Sequence, residues 1–177
     1  NTLTIDGFIQ GFVTNLLKVK KNKSARSIIT TLYTFVFEFQ DRYKEVKLRS
    51  GSGGSMEPVL IHLFKGGLLF ESLLKQLYPN QNNGKPTNTL GDIFGTTTFK
   101  NDFLQTVNQK SFALKSILND IKNNDLSTAF NTAARIRNTT GHNLVWDDIF
   151  DQPENYKRLN DQTMNALFFI VTKKYSS

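Results

Sequence analysis

The sequence predicts an all-α fold, and three observations carry that prediction. Apolar residues recur at three- and four-residue intervals in several long segments, the spacing of one helix face. No stretch shows sustained strand alternation bounded by hairpin turns, and there is no internal repeat. Fifteen phenylalanines supply bulk for a packed core in a chain of 177 residues, a length suited to one domain or one domain with an appendage.

Residues 1–49 read as an N-terminal helical segment packing on the bundle. Ile5, Phe8, Ile9, Phe12, Val13, Leu16 and Leu17 share one face of a first helix. Lys18, Lys20, Lys21, Lys23 and Arg26 follow as a basic connection, which either contacts phosphates or forms a solvated loop. Ser24 can cap a second helix running to about Val46, with Ile28, Ile29, Leu32, Phe35, Val36 and Phe39 inward. Tyr33, Phe35, Phe37, Phe39 and Tyr43 have the composition of a base-stacking platform, but their helical spacing favours core packing.

Ser50 to Ser55, reading SGSGGS, is a Gly/Ser linker. An engineered join and a native mobile loop read alike there. Residues 56–177 then form the helical core. Glu57 and Pro58 suit the first turn of a third helix, continuing to about Tyr78 with Leu60, Leu63, Phe64, Leu68, Leu74 and Leu77 buried. Gly66-Gly67 inside it lowers helix propensity by about 1 kcal/mol per glycine, which close approach of another backbone would offset. His62 lies in an apolar run and reads as a structural histidine.

Pro79 ends that helix, and residues 80–88 form a polar loop. Leu90, Ile93 and Phe94 make about one helical turn. Phe103, Leu104 and Val107 mark another helical segment, and Phe112, Ile117, Leu118 and Ile121 a further one. Asp125 is the expected N-cap of a helix carrying Leu126, Ala129, Phe130, Ala133 and Ile136 on one face. Asn138-Thr139-Thr140-Gly141 are poor helix formers, so the helix is expected to end or distort there. Asp147, Asp148, Asp151 and Glu154 read as an acidic loop containing Pro153. With His142 they lack a recognisable metal-ligand spacing. A last helix is expected from about Asp161, with Met164, Leu167, Phe168, Val171 and Tyr175 on one face.

Charge and composition narrow the function classes. The chain has no cysteine, which excludes a disulfide scaffold and thiolate chemistry. No apolar run reaches the length needed to cross a bilayer and no signal-peptide pattern is seen, so no membrane partner and a cytoplasmic location are expected. The formal charge is +7, with nine Lys/Arg against four Asp/Glu in residues 1–49. A basic surface draws polyanions.

The chemistry is concentrated at Arg137 and His142. A guanidinium binds phosphate with a planar fork of donors, and an imidazole moves protons near neutral pH. On an unbroken helix the five-residue step between them spans about 140° around the axis, so a break at Gly141 would let both heads turn to one point. Spacing alone equally describes a solvated arginine and a histidine capping a helix end.

The run Arg137-Asn138-Thr139-Thr140-Gly141-His142-Asn143-Leu144 resembles the signature of HEPN-domain ribonucleases: an arginine, a polar residue, and a histidine four to six positions on. Arg135 also fits the spacing but is followed by Ile136, so Arg137 matches better. The resemblance is sharp over Ile136 to Leu144 and looser over residues 57–177. Within HEPN proteins the chain looks most like the nuclease domain of CRISPR type III accessory ribonucleases, antiviral enzymes switched by a separate sensor of cyclic oligoadenylate. No such sensor is recognisable here.

The resemblance implies a HEPN-type helical bundle and metal-independent, cofactor-free cleavage of single-stranded RNA. The ribose 2′-hydroxyl attacks the adjacent phosphorus; His142 assists proton transfer, Arg137 holds the phosphate, and Asn138 orients the site. Arg135, Lys20, Lys21 and Lys23 are the expected RNA contacts. A homodimer joining two such sites is also implied. A non-catalytic RNA-binding or antitoxin-like module and a purely structural bundle are the competing classes.

Overall fold

The computed structural model describes residues 10–11, 13–14, 24–50, 55–103, 107, 114–140, 149 and 152–174. Seven helices have both ends within these residues: α1 (Ser24–Arg49), α2 (Glu57–Leu77), α3 (Leu90–Phe94), α4 (Thr97–Phe103), α5 (Leu114–Asp120), α6 (Leu126–Thr140) and α7 (Pro153–Lys174). Among the described residues there is no strand, only an isolated bridge between Asn80 and Pro86. The fold is all-α. None of the described helices is long and apolar enough to cross a membrane.

Helix α2 is the centre of the bundle, packed against α1, α6 and α7, and α6 and α7 also pack on each other. The Gly66-Gly67 pair explains how. A Cβ at Gly66 would lie 2.7 Å from the Phe35 ring and 2.8 Å from the Thr163 methyl; one at Gly67 would lie 2.8 Å from Arg137 Cβ and 2.9 Å from its Cα. Lost helix propensity is exchanged for close contact with α1, α7 and α6 at one level of the bundle.

The core has two parts. In one, Phe70 meets Phe130 edge-on at 5.3 Å, and Phe94, Phe99 and Phe103 of α3 and α4 close the end of α2. In the other, Leu60 and Leu63 of α2 join Val46, Ile136, Tyr156 and Leu159. Ala129, Ala133 and Ala134 are fully buried, keeping α6 close to its neighbours.

Local capping follows the sequence. Thr89 and Asp92 form a reciprocal capping box that starts α3. Asp125 Oδ1 accepts from the Thr128 backbone N–H at 2.7 Å, the N-cap bond expected for α6. Gly84 takes φ 79°, the left-handed turn closing the polar loop.

Helix α4 begins at Thr97, where a loop leading to a segment at Phe103 was expected. Helix α6 is continuous through Thr140, and the break expected at Gly141 lies outside the described residues. Thr139 and Thr140 are buried, and Thr140 Oγ1 donates to the Ile136 carbonyl at 2.6 Å, so packing overrides weak propensity. Helix α7 starts at Pro153 rather than near Asp161. Pro153 and Glu154 are first-turn residues, where a missing N–H costs nothing and a carboxylate is favoured, rather than part of a loop. Glu154 accepts from the Tyr43 hydroxyl and pairs with Lys47 at 3.7 Å, tying α7 to α1. On α7 itself, Leu167 and Val171 are buried whereas Phe168 is half exposed, and Tyr175 lies outside the described residues.

Candidate functional site

Helix α6 sends its two arginines in different directions. Residues two apart on a continuous helix diverge by about 200°, so Arg135 and Arg137 leave on opposite sides. Arg137 faces α2, its backbone seated on Gly67. Its Nε donates to Glu71 Oε2 at 2.5 Å and its Nη1 to Asn138 Oδ1 at 3.3 Å. The side chain is 33% exposed, while that of Glu71 is 6% exposed. The second oxygen of Glu71 holds Lys75 Nζ at 2.6 Å.

This arrangement makes one carboxylate the anchor of two cations. The cluster of Arg137, Lys75 and Glu71 carries a net single positive charge at the edge of α2. Burial of Glu71 strengthens its hold, because a charge leaving water needs a partner. The guanidinium is therefore held by its Nε edge, with part of its surface open to solvent. A planar donor group fixed in this way suits an anion with several acceptor oxygens, such as a phosphodiester.

Asn138, expected to orient the site, does contact the arginine it follows. His142 lies outside the described residues, as do Lys20, Lys21 and Lys23. The expectation for Arg135 is corrected. It is only 3% exposed, with Nη1 on Asp120 Oδ2 at 2.6 Å and Nη2 on Ser116 Oγ at 3.0 Å. Its guanidinium fastens α5 to α6, so it is not available to a strand of RNA.

His62 is structural, as its apolar setting implied. It is 1% exposed, with Nε2 2.7 Å from the Phe35 carbonyl and Nδ1 2.8 Å from the Tyr156 hydroxyl. A carbonyl only accepts, so Nε2 carries the proton and Nδ1 accepts from Tyr156. Burial lowers the imidazole pKa, outweighing the opposing hydrogen bond to Phe35. The same burial raises the Tyr156 phenol. Both rings are neutral bridges between helices. Among the described residues, no group of three or more His, Cys, Asp or Glu is placed to hold a metal ion.

Sequence reasoning missed Glu71 and Lys75. Their four-residue spacing on a helix is legible, but nothing local marks Glu71 as buried or as facing residue 137. The one available signal was a carboxylate inside the apolar run LLFESLL. Comparison of the chain with protein-family models, curated proteins and solved structures finds no match.

Proposed function

We propose that this chain is a metal-independent endoribonuclease of the HEPN type, acting on single-stranded RNA and serving as the effector of an antiviral system. The observation that supports this reading is Arg137, partly exposed, planted on Gly67 and steered by buried Glu71. In the proposed reaction a ribose 2′-hydroxyl loses its proton and attacks the adjacent phosphorus. The P–O5′ bond breaks, leaving a 2′,3′-cyclic phosphate and a 5′-hydroxyl end. His142 carries the proton, and Arg137 binds the phosphate and stabilises the charge that develops on it. Asn138 keeps the guanidinium in place.

A two-fold dimer completes the proposal, because one histidine cannot at once remove a proton and protonate the leaving oxygen. The face of α2 beside Arg137 is one apolar surface that could lie on that axis. Ile61 and Leu68, seven residues apart on α2, are 49% and 40% exposed and share a side with Glu71 and Lys75.

The hold of Glu71 on Nε favours the second reading, a non-catalytic RNA-binding or antitoxin-like module. An RNA carrying a single 2′-deoxy ribose 5′ to the cleaved phosphate separates the two. The ribonuclease reading predicts cleavage of the all-ribose strand and resistance at the modified bond. Binding of both strands without cleavage selects the module, and efficient cutting at the modified bond rules out the 2′-hydroxyl mechanism.

A further inference from the structure

Helix α1 sorts its five aromatic residues by face. Phe35 is fully buried, and Phe39 and Tyr43 pack toward Tyr156. Tyr33 and Phe37 instead point outward, 40% and 73% exposed. Their rings are nearly parallel, 12° apart in plane with centroids separated by 6.3 Å. They offer solvent a continuous π surface, an unusual use of two large aromatics on a helix whose inner face is well packed.

Cations flank that surface. Arg26 is seven residues before Tyr33 and Lys44 seven after Phe37, so all four lie within an arc of about 40° on one helix face. Arg26 and Lys44 are exposed, and neither forms an ion pair with a described residue. Asp41 is the exposed carboxylate at the edge of the stripe; Glu38 faces α2 and is held by Lys65 at 2.6 Å. Thr30 and Gln40 fill the remaining positions of the arc's neighbourhood. The half-exposed Val36 is off to one flank, and Leu48 lies one turn past Lys44.

We propose that Arg26, Tyr33, Phe37 and Lys44 form a stacking platform for single-stranded RNA, separate from the Arg137 cluster. Exposed aromatics accept bases regardless of sequence, and cations on either side neutralise the phosphates of the same strand. The choice of RNA rests on the ribonuclease reading. Gly66 and Gly67 touch Phe35 and Arg137, so α1 and α6 meet α2 at the same height. Phe35 and Phe37 diverge by about 200° around α1, so the platform lies on the side of α1 turned away from α2.

The test is fluorescence anisotropy with labelled single-stranded RNA and with DNA of the same sequence, which stacks equally but lacks the 2′-hydroxyl. Phe37→Ala and Tyr33→Ala are expected to weaken binding of both by about fivefold to a hundredfold, with Phe37→Trp retaining it. Arg26→Ala and Lys44→Ala should each reduce the slope of log affinity against log salt by about 0.7. Circular dichroism checks the fold of these surface variants. Unchanged affinity in both aromatic variants overturns the platform, as does a wild type that binds neither strand. A Phe37→Ala protein that changes sedimentation mass but not affinity also overturns it, assigning the face to a second copy of the chain. Phe37-dependent binding without any cleavage supports the platform while removing the nuclease reading; cleavage with Phe37-independent binding does the reverse.

Discussion

Gly67 and Arg137 touch at the crossing of α2 and α6, where a Cβ on residue 67 would stand 2.8 Å from Arg137 Cβ and 3.0 Å from its backbone nitrogen. The contact does two things at once. It allows the closest approach of two core helices, and it sets the root from which the candidate phosphate-binding side chain extends.

Gly67→Ala is therefore expected to destabilise the protein despite the better helix propensity of alanine. Overpacking against backbone costs about 1–3 kcal/mol, against a propensity gain of about 1 kcal/mol. The net loss is read as a lower urea midpoint. Cleavage by the folded fraction should fall as well, because Arg137 is displaced. A midpoint at or above wild type would show that α6 yields without strain.

Glu71→Gln keeps the shape of the buried side chain but removes the charge shared by Arg137 and Lys75. The expected outcome is a folded protein with an arginine no longer held in one orientation. Misplacement on the ångström scale costs up to about 10²-fold in rate, so single-turnover cleavage should drop by about 10- to 100-fold. Arg137 is a third exposed, so the stability loss is smaller than for a fully buried pair. Wild-type cleavage in this variant would reduce Glu71 to a packing role.

His62 gives the fold an acid-sensitive point. Its folded pKa lies below the ordinary imidazole value of about 6.5, chiefly because burial disfavours the charged ring. The unfolded chain therefore binds the proton more readily, and stability is lost as pH falls from about 6.5 toward the folded pKa. Glu38, Lys65 and Arg42 act on the ring more weakly and partly cancel. The urea midpoint of the wild type should decline over that window. His62→Gln should begin lower at pH 7 but show a flatter decline; an equally steep one would place the acid sensitivity elsewhere.

Much of the helical layout was legible because its signals are local. The single turn at Leu90–Phe94, the Asp125 cap and the apolar stripe of α6 all follow from residues within one or two turns. The failures came where distant parts of the chain decide. Pro153 was read as part of a loop although proline is also a good first residue of a helix, and burial of Tyr156 and Leu159 draws that turn onto the core. The candidate site divides in the same way. Arg137 was legible from the motif it resembles, whereas Glu71, 66 residues earlier, enters only through the α2–α6 crossing. Arg135 was misread because its spacing says nothing of Asp120 and Ser116, which hold it inside.

The most direct measurement of the central claim is cleavage of single-stranded RNA in excess EDTA by wild type, Arg137→Ala and His142→Ala, compared at equal folded concentration. Wild type should cut and leave 2′,3′-cyclic phosphate ends. Loss of a proton-transfer group removes about 10² to 10⁴ in rate, so His142→Ala should be almost silent. Arg137→Ala should be silent likewise. Wild-type cleavage that stops on chelation and returns with a divalent ion, or cleavage equal in all three proteins, would contradict the account.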